Sequence, residues 1–378
     1  MTLETHIKHA LGLLRAGLWE ETPVFPEDSS DLNSMMSFAK MQSVPGILAK
    51  AMLADKEYQN NLPKEFRLKL KSLVVTNVMT YNNMTDVIKK ASKALDEAGI
   101  PHVLLKGHSL AVNYPFPEMR QCGDIDLYVG TENSLATHKV LSQIADRISP
   151  ESDAKWGKHF SAHFGKIQIE VHRHTCDHFT KKTAAIYKAA AQKGLTEKLS
   201  QVELDGVQVN TPSTDFNAFY IFDHLFDHFL TSGIGLRHLC DWMLFLHTHK
   251  DEIDRDYIHG LLKDMKLLEA WQVFGCVLVK HLGLPKEEFP FYAESDKADK
   301  VFSFVLSDGN FGKTTGYYTR RSSNYLLTKM NAFWCHITRG VKMIGLFPRQ
   351  VLRHFYGILV NYLQHLSGDI KRKLNHGR

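Results

Sequence analysis

Residues Gly123-Asp124-Ile125-Asp126-Leu127-Tyr128-Val129 set two carboxylates, one residue apart, inside an otherwise apolar run. The run reads as a strand, and a strand sends alternate side chains to opposite faces, so Asp124 and Asp126 point the same way. Two carboxylates aimed at one place repel each other unless a cation lies between them. A hard divalent ion such as Mg²⁺ meets that need, because it takes oxygen ligands.

Two neighbouring segments add to this pair. Val103-Leu104-Leu105 reads as a short buried strand, and Lys106-Gly107-His108-Ser109 follows as a turn into a short helix beginning near Ser109. Gly107 permits tight backbone geometry and close approach of a ligand. A strand, a glycine turn and a helix start make a corner suited to phosphate, with Lys106 in reach of a phosphate oxygen. The second segment is Gly165-Lys166-Ile167-Gln168-Ile169-Glu170-Val171-His172. Ile167, Ile169 and Val171 take one face of a half-buried strand, and Gln168, Glu170 and His172 take the other. Glu170 thus joins Asp124 and Asp126 as a third carboxylate on a neighbouring strand. Three such groups can hold two metal ions, one activating an attacking oxygen and one neutralising a leaving pyrophosphate.

Taken together, Lys106-Gly107, Arg120, Gly123-Asp124-Ile125-Asp126-Leu127 and Glu170-Val171-His172 resemble the signature of the bacterial uncharacterised nucleotidyltransferase family, a branch of the DNA polymerase beta-like nucleotidyltransferase superfamily. The resemblance extends through Thr211-Pro212-Ser213, the paired His224 and His228, Gly235-Leu236-Arg237-His238-Leu239-Cys240-Asp241-Trp242 and Gly309-Asn310-Phe311-Gly312, over roughly residues 30–360. It departs from the superfamily's Gly-Ser or Gly-Gly start, because His108 follows Gly107 and Ser109 comes one place later. The resemblance implies a nucleotidyltransferase that binds ATP or another NTP. Mg²⁺ would sit at Asp124, Asp126 and Glu170, and Gly107, Ser109 and Gly123 would meet the triphosphate, supported by Lys106 or Arg120. The acceptor stays open between RNA, protein and a glycan or peptide precursor. A toxin-like modifying enzyme and a non-catalytic nucleotide-binding module are the alternatives.

The rest of the chain predicts an α+β fold: a small mixed sheet flanked by helical regions. Ile7, Leu11, Leu14 and Leu18 fall at helical spacing, as do Leu70, Val74, Val78, Val87, Ile88 and Leu95, with a break expected near Asn82-Asn83 and an end at Ala98-Gly99. Strands are expected at 102–105, 124–129, 166–172 and 202–209, with a helix over 132–146. These divisions give an N-terminal helical region (1–98), a core (99–210) and a C-terminal helical region (211–378). Five separated cysteines, Cys122, Cys176, Cys240, Cys276 and Cys335, include no C-x-x-C pair, which fits a reducing cytoplasm and argues against a zinc ribbon or disulfide framework. Glu4, His6, Lys8 and Arg15 interrupt the stretch where a signal peptide needs an apolar core. No apolar run reaches the ~18 residues expected of a spanning helix.

Two features of the C-terminal region remain. His224 and His228 stand at i, i+4 and share a helix face; the spacing allows zinc, a structural pair or a role facing the cleft. Arg237 is the candidate phosphate contact from this region, because a guanidinium forks onto phosphate oxygens, although Asp241 at i+4 offers it a local partner. Residues 311–378 carry 12 Lys or Arg against one acid, Asp369, while the other 310 residues hold 34 basic and 40 acidic groups. With Phe311, Tyr317, Tyr318, Phe333, Trp334, Phe355, Tyr356 and Tyr362 interspersed, this stretch suits an anionic membrane surface, a nucleic acid or a lipid-linked sugar, or else a solvated face over an aromatic core.

Overall fold

The protein is described by a computed structural model over residues 3–19, 21–23, 25–26, 29–175, 180–310, 334 and 337–357. The helical spacing of the N-terminal leucines becomes α1 (Thr5–Trp19), which buries Leu11, Leu14 and Leu18. Next come α2 (Ser29–Met41), α3 (Pro45–Ala54), the short α4 (Lys56–Asn61) and the long α5 (Lys64–Glu97). α5 runs unbroken through Asn82-Asn83, contrary to the expected interruption, because neither asparagine has to leave helical geometry when its side chain can face outward. Gly99, at φ 66°, ends it.

The middle of the chain supplies β1 (Val103–Leu104), α6 (His108–Ala111), a 3₁₀ turn at Pro117–Met119, β2 (Ile125–Tyr128), α7 (Gly130–Leu141), β3 (Arg147–Ile148), α8 (Glu151–Trp156), β4 (His159–Phe164), β5 (Ile167–His172) and α9 (Lys181–Gln192). The five strands form one sheet in the order β1-β2-β5-β4-β3. Only the central β2–β5 pair is parallel; its neighbours on both sides are antiparallel. The expected strand at 202–209 is a hairpin instead, β6 (Ser200–Leu204) and β7 (Val207–Thr211), turned at Asp205-Gly206, both with positive φ. From there the chain is helical: α10 (Thr214–Thr231), α11 (Leu236–Thr248), α12 (Arg255–Met265), α13 (Leu268–Val277) and α14 (Ala298–Asp308). Among the described residues no helix is long and apolar enough to cross a membrane.

The apolar core forms two clusters that ignore chain order. One joins Leu13, Leu48, Phe66 and Leu70 from the first five helices with Phe222, Trp242, Trp271 and Phe302 from the last five. At its centre the Trp242 and Trp271 rings meet edge to face, 4.8 Å apart, and each indole N–H donates to a backbone carbonyl. Burying each such large side chain contributes on the order of 2–3 kcal/mol. The second cluster lies on one face of the sheet, where Ile125, Leu127, Ile169 and Val171 pack on Met84, Ile88 and Leu95 of α5. The opposite face of β2 and β5 looks toward α10 and α11.

Two buried polar groups tie the parts together. Gln42, fully buried after α2, accepts from the Leu236 N–H at the start of α11 and donates to the Val305 and Leu306 carbonyls of α14. Arg339, also buried, pairs with Asp308 at 2.7 Å and donates to the Phe229 carbonyl at 2.8 Å. One of the basic groups of the C-terminal stretch therefore belongs to the interior. Most of that stretch, including Phe311, Tyr317, Tyr318, Phe333 and Tyr362, lies outside the described residues.

Candidate nucleotide and metal site

Strands β2 and β5 run parallel with Asp126 beside Glu170 and Tyr128 beside His172. Register partners share a face of the sheet, and so do residues two apart on one strand. Asp126, Glu170 and His172 consequently converge, and each offers a ligand atom within 4.8 Å of the others. Oxygen ligands about 2.0–2.6 Å from a divalent ion lie within such a span of one another, so this set fits a divalent cation. Asp124 sits one residue before β2, exposed, and lines the same cavity without joining this group. Gln168, next along β5, steadies Glu170 with a 3.0 Å hydrogen bond from its amide.

Asp126 is the anchor. Its side chain is almost fully buried, and its two oxygens are held separately: Lys106 Nζ is 2.7 Å from Oδ2 and His172 Nε2 is 2.7 Å from Oδ1. Burial alone would raise its pKa. The Lys106 charge and the His172 hydrogen bond outweigh burial and hold the carboxyl well below the usual carboxylate range. Lys106 reaches this place because β1 is antiparallel to β2, with the Leu105 N–H donating to the Asp126 carbonyl at 3.0 Å.

Gly107 turns the chain with φ 81° and ψ −108°, and a Cβ there would lie 3.4 Å from the Asp124 carbonyl oxygen. The two residues after it turn inward. His108 is fully buried, bonds Thr85 Oγ1 at 2.8 Å and packs on Tyr81; burial, then the Arg120 charge, lower its pKa to about 4. Ser109 donates its hydroxyl to the Leu105 carbonyl at 2.6 Å and is buried away from the cavity lining. His108 after the glycine is thus a packing residue, and the polar surface of this corner comes from Lys106, Gly107 and Gly123.

The helical side of the cavity comes from α10 and α11. Arg120 and Asp241 form a buried bidentate pair, Nε to Oδ1 and Nη2 to Oδ2, each at 2.7 Å, and the Tyr114 hydroxyl adds a third 2.7 Å bond to Oδ1. Burial works against the Arg120 charge, but Asp241 more than compensates and raises its pKa. Asp241 is therefore committed to Arg120, a partner 121 residues away, and the i, i+4 pairing with Arg237 is not the one made. Arg237 instead donates through Nη1 to the Gln121 carbonyl at 2.8 Å, while its buried Nε has no hydrogen-bond partner. Burial, then the nearby Arg120 charge, lower its pKa, although a guanidinium stays charged at neutral pH.

His224 and His228 both line the cavity, their rings 4.4 Å apart, and His228 contacts Ser232 Oγ at 3.1 Å. Burial and then Lys106 lower both pKa values, that of His228 to about 4, so both rings are neutral. Neither belongs to a three-ligand metal cluster among the described residues.

The cavity encloses about 290 Å³, near the small end of ligand pockets. Its lining carries four carboxylates, Asp124, Asp126, Glu170 and Asp241, and three fixed cations, Lys106, Arg120 and Arg237. Lys106 is paired with Asp126 on the sheet side and Arg120 with Asp241 on the helical side, which leaves Arg237 as a lining cation whose one side-chain hydrogen bond goes to a backbone carbonyl. Sequence reasoning had no hold on Tyr114 or Gln42, whose roles depend on distant partners, and it reached Asp241 only as a local partner for Arg237. His172 was within its reach, since strand alternation already put it on the face of Glu170.

The family described as uncharacterised nucleotidyltransferase matches residues 28–283, ending before Gly309-Asn310-Phe311-Gly312. No curated protein and no solved structure matches the chain.

Proposed function

Because this chain belongs to the uncharacterised nucleotidyltransferase family, we propose that it transfers a nucleoside monophosphate from an NTP to an acceptor, with Mg²⁺ or a similar divalent ion held by Asp126 and Glu170 and approached by Asp124. The family carries the activity class and the NTP; the residues around the cavity carry the rest. The observation that supports the reading most is the meeting of Asp126 and Glu170, in strand register, with Lys106 and Arg237 in one cavity. A bound divalent ion supplies Lewis-acid polarisation of the phosphate oxygens.

The chain's own groups divide the remaining work. Gly107 and Gly123 let backbone approach the triphosphate, and Lys106 and Arg237 offset its charge. Arg120, neutralised by Asp241, holds the helical side against the sheet, and Ser109 braces the turn below. An acceptor hydroxyl attacks the α-phosphorus in line, the bond to the bridging oxygen of the β-phosphate breaks, and pyrophosphate leaves. The hydroxyl proton passes to Glu170, whose carboxylate Gln168 keeps oriented. The proposed organisation keeps the three regions 1–98, 99–210 and 211–378, the middle one carrying the acidic residues and Lys106, the last one Arg237.

The test is transfer of label from each α-³²P NTP with Mg²⁺, partitioned among RNA, protein and small acceptors; where the label ends names the acceptor. Asp126→Asn should lower transfer at least ~100-fold, the several kcal/mol expected when charge stabilisation at a metal-assisted site is lost. Unchanged transfer by Asp126→Asn would remove Asp126 from the chemistry. Label that stays on the NTP throughout would leave a nucleotide-binding module in place of a transferase.

A further inference from the structure

Resting on the metal-dependent reading above, we propose that His172 is itself a ligand of the bound cation, so that Asp126, Glu170 and His172 form a mixed oxygen and nitrogen centre. Such a centre takes first-row divalent ions that accept imidazole, and binds them through a contact Mg²⁺ does not use.

Geometry carries the proposal. His172 Nε2 lies 2.7 Å from Asp126 Oδ1 and 3.9 Å from Glu170 Oε2. Its ligand atom therefore faces the two carboxylates rather than solvent or the sheet edge. The position is fixed by backbone: His172 ends β5 beside Tyr128, two residues beyond Glu170 and on the same face. The ring of His159, on β4, stands 5.5 Å from that of His172 and lines the cavity with it. An ion entering between the three groups replaces one hydrogen bond, Nε2–H to Oδ1, with bonds from both atoms to itself. The ring binds the ion through the Nε2 lone pair as the tautomer whose one proton is on Nδ1. Lys106 holds only Oδ2 of Asp126, so Oδ1 is the oxygen that turns to the ion.

The chemistry separates metals. Mg²⁺ holds several waters and takes one or two carboxylates, so it gains little from an imidazole. Mn²⁺ and the ions above it in the Irving–Williams order accept imidazole nitrogen alongside carboxylate oxygen. Loss of His172 should therefore weaken those ions selectively.

The experiment uses the full chain with Mn²⁺ and, separately, Mg²⁺ as probes. Binding is measured by calorimetry for wild type, His172→Gln and Asp126→Asn, and the Mn²⁺ complex is examined by pulsed electron paramagnetic resonance for coupling to imidazole nitrogen. Glutamine keeps an N–H donor near the place of Nε2, so it preserves the contact with Asp126 while removing the imidazole nitrogen. Expected are nitrogen coupling in wild type and its loss in His172→Gln. Mn²⁺ affinity should fall at least about tenfold in that variant, the lower end of what losing even a supporting partner costs a metal site. Mg²⁺ affinity should change by less than about threefold. A wild-type Mn²⁺ centre without nitrogen coupling, abolished in Asp126→Asn, would overturn the ligand role of His172 and leave the carboxylate site standing. Failure of the wild type to bind either ion would overturn both. If His172→Gln does not fold, the wild-type spectrum alone decides.

Discussion

Removing Asp241 should cost the protein far more than removing an ordinary surface charge. The Asp241 carboxylate accepts two 2.7 Å bonds from Arg120 and one from the Tyr114 hydroxyl. The side chains of Arg120 and Asp241 are 4% and 7% exposed, so water cannot take over when the partner goes. In Asp241→Ala the guanidinium keeps only its Nη1 contact to Cys122 Sγ, at 3.0 Å, and stays buried with its charge uncompensated. Breaking a buried pair from one side costs about 3–5 kcal/mol, whereas an exposed pair is worth about 0–1 kcal/mol. The expected loss for Asp241→Ala is therefore about 3–5 kcal/mol. Urea unfolding followed by tryptophan fluorescence reads it directly, since Trp242 is the adjacent residue and lies at the core. Replacing both partners, as Arg120→Met with Asp241→Leu, should recover most of the loss, because the penalty lies in the stranded charge. A loss below about 1 kcal/mol in the single variant would show that the pair is solvated and that Arg120 does not hold α11 to the sheet. A double variant as unstable as the single one would trace the cost to packing rather than charge.

Arg237→Ala should raise the KM for NTP severalfold while the melting temperature shifts by no more than a few degrees, since the side chain makes one bond to the Gln121 carbonyl, a charged-donor contact worth about 1.5–3 kcal/mol at most; a large drop in melting temperature with unaltered KM would make Arg237 structural. Gly107→Val should weaken NTP binding in calorimetry and also cost roughly 1–3 kcal/mol of stability, because φ of 81° strains any residue with a Cβ; equal affinity in both proteins would put the triphosphate elsewhere. Acid should destabilise the fold through His108 and His228, whose pKa values burial lowers to about 4. The unfolded chain takes up their protons near pH 6.5 and the folded chain does not, so their contribution is complete above ~6.5 and declines toward ~4, by up to ~1.4 kcal/mol per pH unit for each ring. His108→Gln should flatten urea-derived stability over that window by about one proton, and an unchanged slope would count against it.

The strands that carry the chemistry were readable because their alternation is strong: Ile167, Ile169 and Val171 against Gln168, Glu170 and His172. β4 was not, because its outward residues His159, Ser161 and His163 are weakly polar and its inward ones include the small Ala162. The hairpin of β6 and β7 was hidden inside one apparent strand, since a two-residue turn at Asp205-Gly206 adds no length that separates it from a bulge. Asp241 was visible only to its own helix, where Arg237 is the nearest cation; its true partner lies across the fold. The joining of the first helices with the last in one core likewise depends on contacts between distant segments, which no local pattern records.

The length of α5 has a mechanical consequence. Its 34 residues span ~51 Å, and it buries Phe66 and Leu70 in one core and Met84, Ile88 and Leu95 in the other. Each residue advances the helix by ~100°, so the angular phase between Leu70 and Met84 sets how the two bodies are rotated about a common shaft. Losing one residue between them would turn one body by that angle against the other and pull the Arg237 face away from the acidic strands. Adding seven, close to two whole turns, would separate the bodies by ~10 Å while nearly keeping their phase. The shaft thus transmits torque, and the alignment of the cleft depends on a residue count in a helix that supplies none of the cavity lining.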